Sequence, residues 1–291
     1  MEIVIGRDDL AAAAQDAAHD SDVACERRTV KPVHRASAGF LQGDLGVCEV
    51  AIVTMLQAVS FDIPVVLLPI TTLGRYQHHT LVSMRDMAIS DIPGSRGGVR
   101  SWSQTTGVWV RGFLAEEYGV DLRSVHWQAY EPAHVGPYQD PTWVPRAPRE
   151  PGLVADFLSG AVDFSILGND LPDVDGVHRI IPDAAAAGEE WSRRHGFAPI
   201  NHVVGVSESA AQESSAAICA MYDAMRTVLD ATRAPGPVDT TPCGFEALRG
   251  PVSRAAIYAF DQDVLSRPVT FDEIVERSCD ALGVTPARLG G

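Results

Sequence analysis

The sequence predicts an α/β protein in which short strands alternate with helices. Two observations lead to this class. Short β-rich runs bounded by Gly, Pro or Asp alternate with segments that have helical periodicity. The chain of 291 residues is 46% apolar and 21% charged, which is typical of a globular protein with a substantial core. Such alternation favours sheets covered by helices.

Seven runs are predicted to be strands, because each is short, rich in β-forming residues and bounded by turn residues. They are residues 2–5, 47–53, 64–70, 81–84, 97–102, 164–167 and 202–206. Three longer segments are predicted to be helices, because their apolar residues recur on one face or a capping box opens them. They are residues 105–118, 208–231 and 270–282.

A short internal sequence repeat indicates two similar lobes. Phe40-Leu41-Gln42-Gly43 precedes one predicted strand, and Phe157-Leu158-Ser159-Gly160 precedes another. Both tetrapeptides place a helix end and a glycine just before a strand. The repetition suggests that each lobe is an α/β sandwich.

The charge balance and the single lysine argue against two classes of function. With 23 basic and 38 acidic residues the net charge is -15, which repels nucleic acid, so no nucleic-acid partner is expected. Lys31 is the one lysine, and it precedes Pro32 in a connecting segment. A pyridoxal-phosphate or Schiff-base enzyme needs a lysine amine as its anchor. Lysine-dependent chemistry is therefore not expected.

The cysteines and apolar runs favour a cytoplasmic protein without a membrane partner. The five cysteines are scattered and never spaced as C-x-x-C, which suits a reducing compartment. The first residues do not have the pattern of a secretory signal. The apolar runs are too short to span a bilayer. The sequence leaves open whether the chain forms a homo-oligomer.

The segment 98–112 predicts an anion site. A strand runs into Ser- and Thr-rich turn residues and then into an amphipathic helix. Free backbone N–H groups at the helix start, with hydroxyls and Arg100 nearby, would bind a carboxylate. The alternative is an ordinary N-cap by Ser101 or Ser103, which needs no ligand. Further along, six prolines in residues 131–151 indicate an extended loop or a flap over a cleft.

The sequences of several segments resemble those of the 4,5-dihydroxyphthalate decarboxylase family, which has the type 2 periplasmic-binding-protein fold. The resemblance is carried by Val108-Trp109-Val110-Arg111-Gly112, Glu117-Tyr118-Gly119-Val120, His126-Trp127, Arg75-Tyr76-Gln77-His78-His79-Thr80, Cys48-Glu49-Val50, Phe245-Glu246-Ala247 and the run from Arg194 to Val204. These landmarks keep the family's order along nearly the whole chain.

The resemblance implies a two-lobed α/β fold, each lobe a mixed sheet flanked by helices, with the ligand cleft between them. The first lobe would comprise residues 1–94 and 203–291, and the second would comprise residues 95–202. The implied activity is cofactor-independent decarboxylation of a hydroxylated aromatic carboxylic acid. The implied partner is therefore a small aromatic carboxylate.

Candidate site residues follow from the matched positions and their chemistry. His79 is the first choice for the proton donor, because a histidine can hold and deliver a proton near neutral pH. His202 and Glu49 are further catalytic candidates. Arg75 and Arg100 are expected to bind carboxylate, because guanidinium pairs with it in a bidentate manner. The other substrate-binding candidates are His78, Ser101, Trp102, Ser103, Thr105 and Asn169.

Departures from the family pattern keep other functions open. Arg100 and Ser101 replace a proline and a glutamate, His78 replaces an arginine, and Asn169 stands where an arginine is expected. One alternative is a non-catalytic solute-binding protein, which shares the fold. A second is another lyase on this scaffold, such as a chorismate dehydratase. A third is a metal site formed by His78, His79, His202 and Glu49, although they lack H-x-H or H-E-x-x-H spacing.

Overall fold

The computed structural model describes residues 1–148, 150–168 and 171–291, which form ten strands and ten α-helices. The strands are β1 (Glu2–Val4), β2 (Glu26–Arg27), β3 (Val47–Ala51), β4 (Val65–Gly74), β5 (Leu81–Ser83), β6 (Arg96–Val99), β7 (His126–Ala129), β8 (Phe164–Ile166), β9 (His178–Arg179) and β10 (Ile200–Ser207). The helices are α1 (Asp8–Asp20), α2 (Ser37–Leu41), α3 (Ile52–Ser60), α4 (Thr105–Glu116), α5 (Leu153–Ser159), α6 (Ala184–His195), α7 (Glu208–Glu213), α8 (Ser215–Thr232), α9 (Phe245–Asp261) and α10 (Phe271–Leu282).

The strands form two mixed five-stranded sheets, as the α/β prediction requires. The first sheet has the order β2-β1-β3-β10-β4, and β10 runs antiparallel to both of its neighbours. The second has the order β7-β6-β8-β5-β9, with β6 parallel to β7 and β8. Helices α3, α8 and α10 pack against the first sheet, and α4 and α5 pack against the second. The predicted fold class is confirmed.

The chain crosses from the first sheet to the second earlier than the predicted boundary at residue 94. Leu81 and Val82 of β5 pair antiparallel with Ile166 and Ser165 of β8, so this strand belongs to the second sheet. The first crossing therefore lies between the end of β4 and the start of β5. The chain returns with β10, which begins at Ile200. The domain limits outside these strands stay a prediction.

The short internal sequence repeat corresponds to one helix–glycine–strand unit in each sheet. Helix α2 is followed by Gly43 and then β3, and α5 is followed by Gly160 and then β8. The φ angles are 87° at Gly43 and 76° at Gly160. Left-handed glycines of this kind end helices without the strain of a Cβ atom.

Two predicted elements differ in kind or continuity, and most others differ by a few residues at their ends. The strand expected over 47–53 ends at Ala51, and Ile52 and Val53 open helix α3. The run is apolar except for Glu49 and every residue of α3 is buried, so periodicity could not distinguish helix from strand there. The helix expected over 208–231 is interrupted at Ser214, which separates α7 from α8.

The longest of the described helices carries charged residues and packs on one side against the core. Helix α8 has 18 residues and carries Asp223, Arg226 and Asp230. Its apolar side packs against α1 and β4. Within the described ranges, no helix is both long and apolar enough to cross a membrane.

Replacing Gly160 with alanine should destabilise the protein by about 1–2 kcal/mol, because a Cβ atom is disfavoured in left-handed backbone. No atom lies within 4 Å of the Cβ position, so the cost is one of backbone conformation alone. Gly136→Ala is the matched control, since its Cβ position is equally open and its φ angle is not in the left-handed region. Urea unfolding of both variants measures the difference. Equal stability of the two would contradict this account.

Candidate ligand cavity between the two sheets

A cavity of about 150 Å³ lies between the two sheets and is lined by residues from both. We call it the cleft cavity. The side of the first sheet contributes Pro32, His34, Ala51, Thr54, Leu73, Arg75, Asn201 and His202, and the side of the second contributes Arg100, Ser101, Ser103, Gln104, Thr105, Thr106, Glu131, Pro132, His134 and Gly168. An apolar cavity of similar volume in another protein holds one benzene ring. The size therefore suits a ligand with a single aromatic ring.

Two helix N-termini, one from each side, meet at the cleft cavity. Helix α3 begins after Ala51, and α4 begins after Gln104. The side chain of Gln104 does not cap α4, and Ser101 and Ser103 bond to each other at 3.3 Å. The hydroxyl of Thr105 accepts the backbone N–H of Val53 in α3 at 3.2 Å. The interpretation of Ser101 or Ser103 as a simple N-cap is therefore wrong, and the positive end of α4 lies at the cavity.

His202 lines the cleft cavity and is hydrogen-bonded to Glu49, which does not itself line it. His202 lies opposite Ala51 in the pairing of β10 with β3, and Val204 lies opposite Glu49. Glu49 and His202 are therefore diagonal neighbours on one face of the sheet. The Nδ1 atom of His202 lies 2.6 Å from Oε1 of Glu49. The other carboxylate oxygen accepts the backbone N–H of Gly6 at 2.8 Å.

The electrostatics of this pair favour an ionised glutamate. Burial raises the pKa of Glu49, but the hydrogen bonds and charge of His202 and the N–H of Gly6 outweigh it, so the pKa lies below its usual value. A carboxylate can only accept, so Nδ1 of His202 donates to it and Nε2 remains for a ligand. The pair therefore presents the Nε2 atom of an oriented imidazole to the cavity.

Arg75 and Arg100 supply positive charge at the cleft cavity, one from each side. Arg75 follows β4 and is half-buried, and burial lowers the pKa of its guanidinium. Arg100 follows β6, and its Nε lies 3.7 Å from a carboxylate oxygen of Glu131. Both arginines thus line the same cavity, and their binding of a carboxylate stays a prediction. Their charge locally offsets the negative charge of the whole chain.

Asn201 links three elements at the floor of the cleft cavity. Its side-chain amide donates to the hydroxyl of Thr106 at 3.3 Å, and its carbonyl oxygen accepts from the amide of Gln77. Asn201 lies near the start of β10, Gln77 lies on the segment between β4 and β5, and Thr106 lies in α4. These bonds hold the start of α4 against β10 and against the outgoing crossing. Residues 199–202 carried part of the family resemblance, but that pattern did not mark Asn201 as a site residue.

His34 and His134 were missed by the sequence reasoning. Their rings stack across the cleft cavity, with centroids 5.9 Å apart and planes within 14° of parallel. The Nδ1 atom of His134 also lies 3.2 Å from the hydroxyl of Thr54 in α3. His134 belongs to the proline-rich segment, of which Glu131, Pro132 and His134 line the cavity, and the flap interpretation stays a prediction. That interpretation was the one sequence signal that could have drawn attention to His134.

The histidine expected to donate the proton does not line the cleft cavity. His79 is half-buried beside the cleft and is absent from the cavity wall. Burial lowers the pKa of His79, and Arg75 and Arg179 lower it further. A histidine with a lowered pKa holds a proton poorly at neutral pH. Of these two histidines, His202 lines the cleft cavity and His79 does not.

His78 and Trp102 lie in the core instead of facing a ligand, which corrects both predictions. The ring of His78 stacks on Phe113 at 4.3 Å, and burial, with His79 and Arg194 nearby, lowers its pKa to about 4. Trp102 has no exposed surface, and its indole N–H donates to the carbonyl of Gln262 at 2.8 Å. Neither side chain is available to a substrate. Asn169, the remaining candidate, lies outside the described residues.

The residues proposed for a metal site do not converge. Glu49 and His202 meet, whereas His78 and His79 lie outside the cavity wall. Over residues 1–148, 150–168 and 171–291, one group of potential ligands has its atoms within 4.8 Å of one another. The group consists of Glu116, Glu117 and His195. Its carboxylates already pair with Arg254 and Arg194, and none of the three lines the cleft cavity.

Comparison with curated proteins finds one distant relative of the chain. No protein-family model matches the chain. The chain is 26% identical to the 4,5-dihydroxyphthalate decarboxylase of Comamonas testosteroni over 196 residues, which cover 60% of this chain and 57% of that protein. The match thus spans less than two thirds of the relative's length. It agrees with the family resemblance in the sequence.

Solved structures establish the fold. The chain is similar to the periplasmic aliphatic sulphonate binding protein SsuA from Escherichia coli, with a TM-score of 0.55 and 8% identity over 97% of this chain and 98% of that one. It is also similar to the desulfurization enzyme DszB, with a TM-score of 0.52 and 16% identity over 97% of this chain and 99% of that one. The fold is that of type 2 periplasmic binding proteins, as expected. The same fold occurs in a binding protein and in an enzyme, so it does not decide between them.

Glu49→Gln should lower the free energy of unfolding by about 1–3 kcal/mol at pH 7, because it removes the charged acceptor of two buried hydrogen bonds. The folded-state pKa of Glu49 is depressed, so its contribution is fully present above the ordinary value of 4.5 and is lost as pH falls through the lower folded value. Urea unfolding of both proteins at pH 7 and pH 3.5 measures this. A stability difference that grew on acidification would contradict the assignment.

Proposed function

We propose that the chain is a cofactor-independent decarboxylase of a hydroxylated aromatic carboxylic acid, similar to 4,5-dihydroxyphthalate. The observation that carries this proposal is the Glu49–His202 pair at the wall of a cavity that also holds two arginines. Binding an anion requires only the arginines and the helix N-termini. A buried carboxylate that orients a histidine adds the means to transfer a proton. The curated relative is a decarboxylase, which supports the same chemistry.

The substrate would be held through its carboxylate and its ring hydroxyls. Arg75 and Arg100 offer guanidinium groups, which can bind carboxylate by two parallel hydrogen bonds. The N-terminus of α4 offers backbone N–H groups and the hydroxyl of Thr105 at the same wall. The hydroxyls of Ser101 and Ser103 can exchange hydrogen bonds with the ring hydroxyls. The ring itself fills the small volume of the cleft cavity.

The reaction would consume one proton for each carbon dioxide released. Protonated His202 transfers its Nε2 proton to the ring carbon that bears the carboxylate, and Glu49 stabilises the charged imidazole before transfer. The carbon–carbon bond then breaks, carbon dioxide leaves, and its bonding electrons restore the aromatic ring. The ring hydroxyls accommodate the charge in the intermediate, so no cofactor is needed. Neutral His202 regains a proton from water.

Purified protein incubated with 4,5-dihydroxyphthalate and a panel of dihydroxybenzoates should release carbon dioxide from at least one compound. His202→Asn should lower kcat by about 100-fold or more, because general acid catalysis contributes about 10²–10⁴-fold. His79→Asn should retain most of the activity, since His79 does not line the cleft cavity. His126→Asn is the control for a histidine substitution, because His126 is exposed at the start of β7.

Three outcomes would count against this proposal or part of it. Tight binding across the panel with no carbon dioxide release would favour the solute-binding alternative. Loss of activity in His79→Asn with retention in His202→Asn would reverse the assignment of the proton donor. Loss of activity on treatment with a chelator would favour the metal alternative.

Arg75→Met should weaken the binding of an aromatic carboxylate by about 10–100-fold, because a hydrogen bond to a charged group contributes about 1.5–3 kcal/mol. Arg85→Met is the control, since Arg85 is exposed, pairs with Asp163 and lies away from the cavity wall. Titration calorimetry with a non-reacting phthalate measures both affinities. Unchanged affinity in Arg75→Met would exclude Arg75 as the carboxylate anchor.

A further inference from the structure

A second pocket adjoins the cleft cavity on the side of the first sheet. It has a volume of about 430 Å³ and shares Pro32, His34, Leu73 and His202 with the cleft cavity. Those four side chains form the partition between the two spaces. Because the cleft cavity alone holds little more than one ring, a longer ligand that extends past this partition enters the second pocket.

The second pocket is lined by four cations, which are Arg7, Arg27, Arg28 and Lys31, and we call it the basic pocket. Ile3 and Ile5 contribute to an apolar floor, and the wall also contains two carboxylates that are already engaged, Asp8 with Arg27 and Glu49 with His202. Four cations around one pocket are unusual in a chain with a net charge of -15. An apolar floor with a cationic rim suits an apolar stem that ends in an anion.

The cations of the basic pocket differ in how strongly they are already engaged. Arg7 pairs with Asp9, and Arg27 pairs with Asp8 at 3.1 Å. Arg28 lies 3.6 Å from Glu2, and both side chains are well exposed, so this pair is weak. Lys31 is exposed and forms no ion pair with any residue in the described ranges. Lys31 and Arg28 are therefore the cations with the most capacity for a ligand.

We propose that the basic pocket is a second ligand subsite, which takes a carboxylate carried on an apolar stem of the molecule whose ring occupies the cleft cavity. This inference rests on the proposed function in one respect, since it assumes that the ring binds in the cleft cavity. It adds that the natural ligand is a dianion with its two carboxylates on opposite sides of His202. The one lysine of the chain thereby takes part in recognition and not in covalent chemistry.

A matched pair of ligands tests the subsite. The probes are 4-butylbenzoate and 4-(3-carboxypropyl)benzoate, which differ only in whether the stem ends in a methyl group or a carboxylate. We expect the diacid to bind about tenfold more tightly, as one charge-assisted contact would provide. The preference should fall several-fold in Lys31→Gln or Arg28→Gln and vanish in the double variant. Arg226→Gln in α8 removes the same charge elsewhere and should keep the preference.

Chemical labelling at Lys31 provides an independent measurement. An amine-reactive acetylating reagent can modify only Lys31 and the terminal amine, because the chain has no other lysine. The diacid should protect Lys31 from acetylation, whereas the terminal amine, which donates to the carbonyl of Ala24, should react equally with or without ligand. Mass spectrometry of the two peptides gives both rates.

Two results would overturn the subsite. One is equal binding of the monoacid and the diacid, including a failure of both to bind. The other is unchanged acetylation of Lys31 at a saturating concentration of the diacid. Neither depends on turnover, so they are distinguishable from a failure of the proposed decarboxylation, which carbon dioxide release alone reports.

Discussion

The pairing of β10 with β3 is the interaction on which the candidate site depends. β10 returns from the second sheet and inserts antiparallel between β3 and β4. Its register places His202 opposite Ala51, which brings the imidazole to Glu49 on the neighbouring strand. A shift by one residue would turn His202 to the opposite face and separate the pair. The backbone hydrogen bonds of the first sheet thus determine the geometry of the Glu49–His202 pair.

The same strand ties the two sheets together at the cavity. Asn201 precedes His202 and bonds to Thr106 at the start of α4 and to Gln77 on the outgoing crossing. The end of β3 leads directly into α3. In the first turn of α3, the backbone N–H of Val53 donates to the hydroxyl of Thr105. Two helix N-termini and the Glu49–His202 pair consequently face one small space. Positive potential from the helices and arginines then acts on a ligand shielded from most of the solvent.

The charge of the cleft contrasts with the charge of the molecule. The net charge of -15 would repel a dianionic aromatic acid at long range. Arg75 and Arg100 in the cleft cavity, together with Arg28 and Lys31 in the basic pocket, provide local attraction instead. Because screening limits the reach of the surface charge to about 8–10 Å, the local cations dominate once a ligand has entered.

The sequence by itself determined the α/β class, most of the strands and the presence of two helix–glycine–strand units, and it singled out Arg75 and Arg100, which line one cavity. These follow from local patterns, from helix starts and from side-chain chemistry, all of which act over short stretches of chain. Only the tertiary structure decided which histidine faces the ligand space. His78 and His79 stand in a matched motif, yet one stacks on Phe113 and the other lies outside the cavity wall. His34, His134 and His202 reach the site because distant segments meet there, and such meetings depend on strand register and lobe packing that no local pattern encodes.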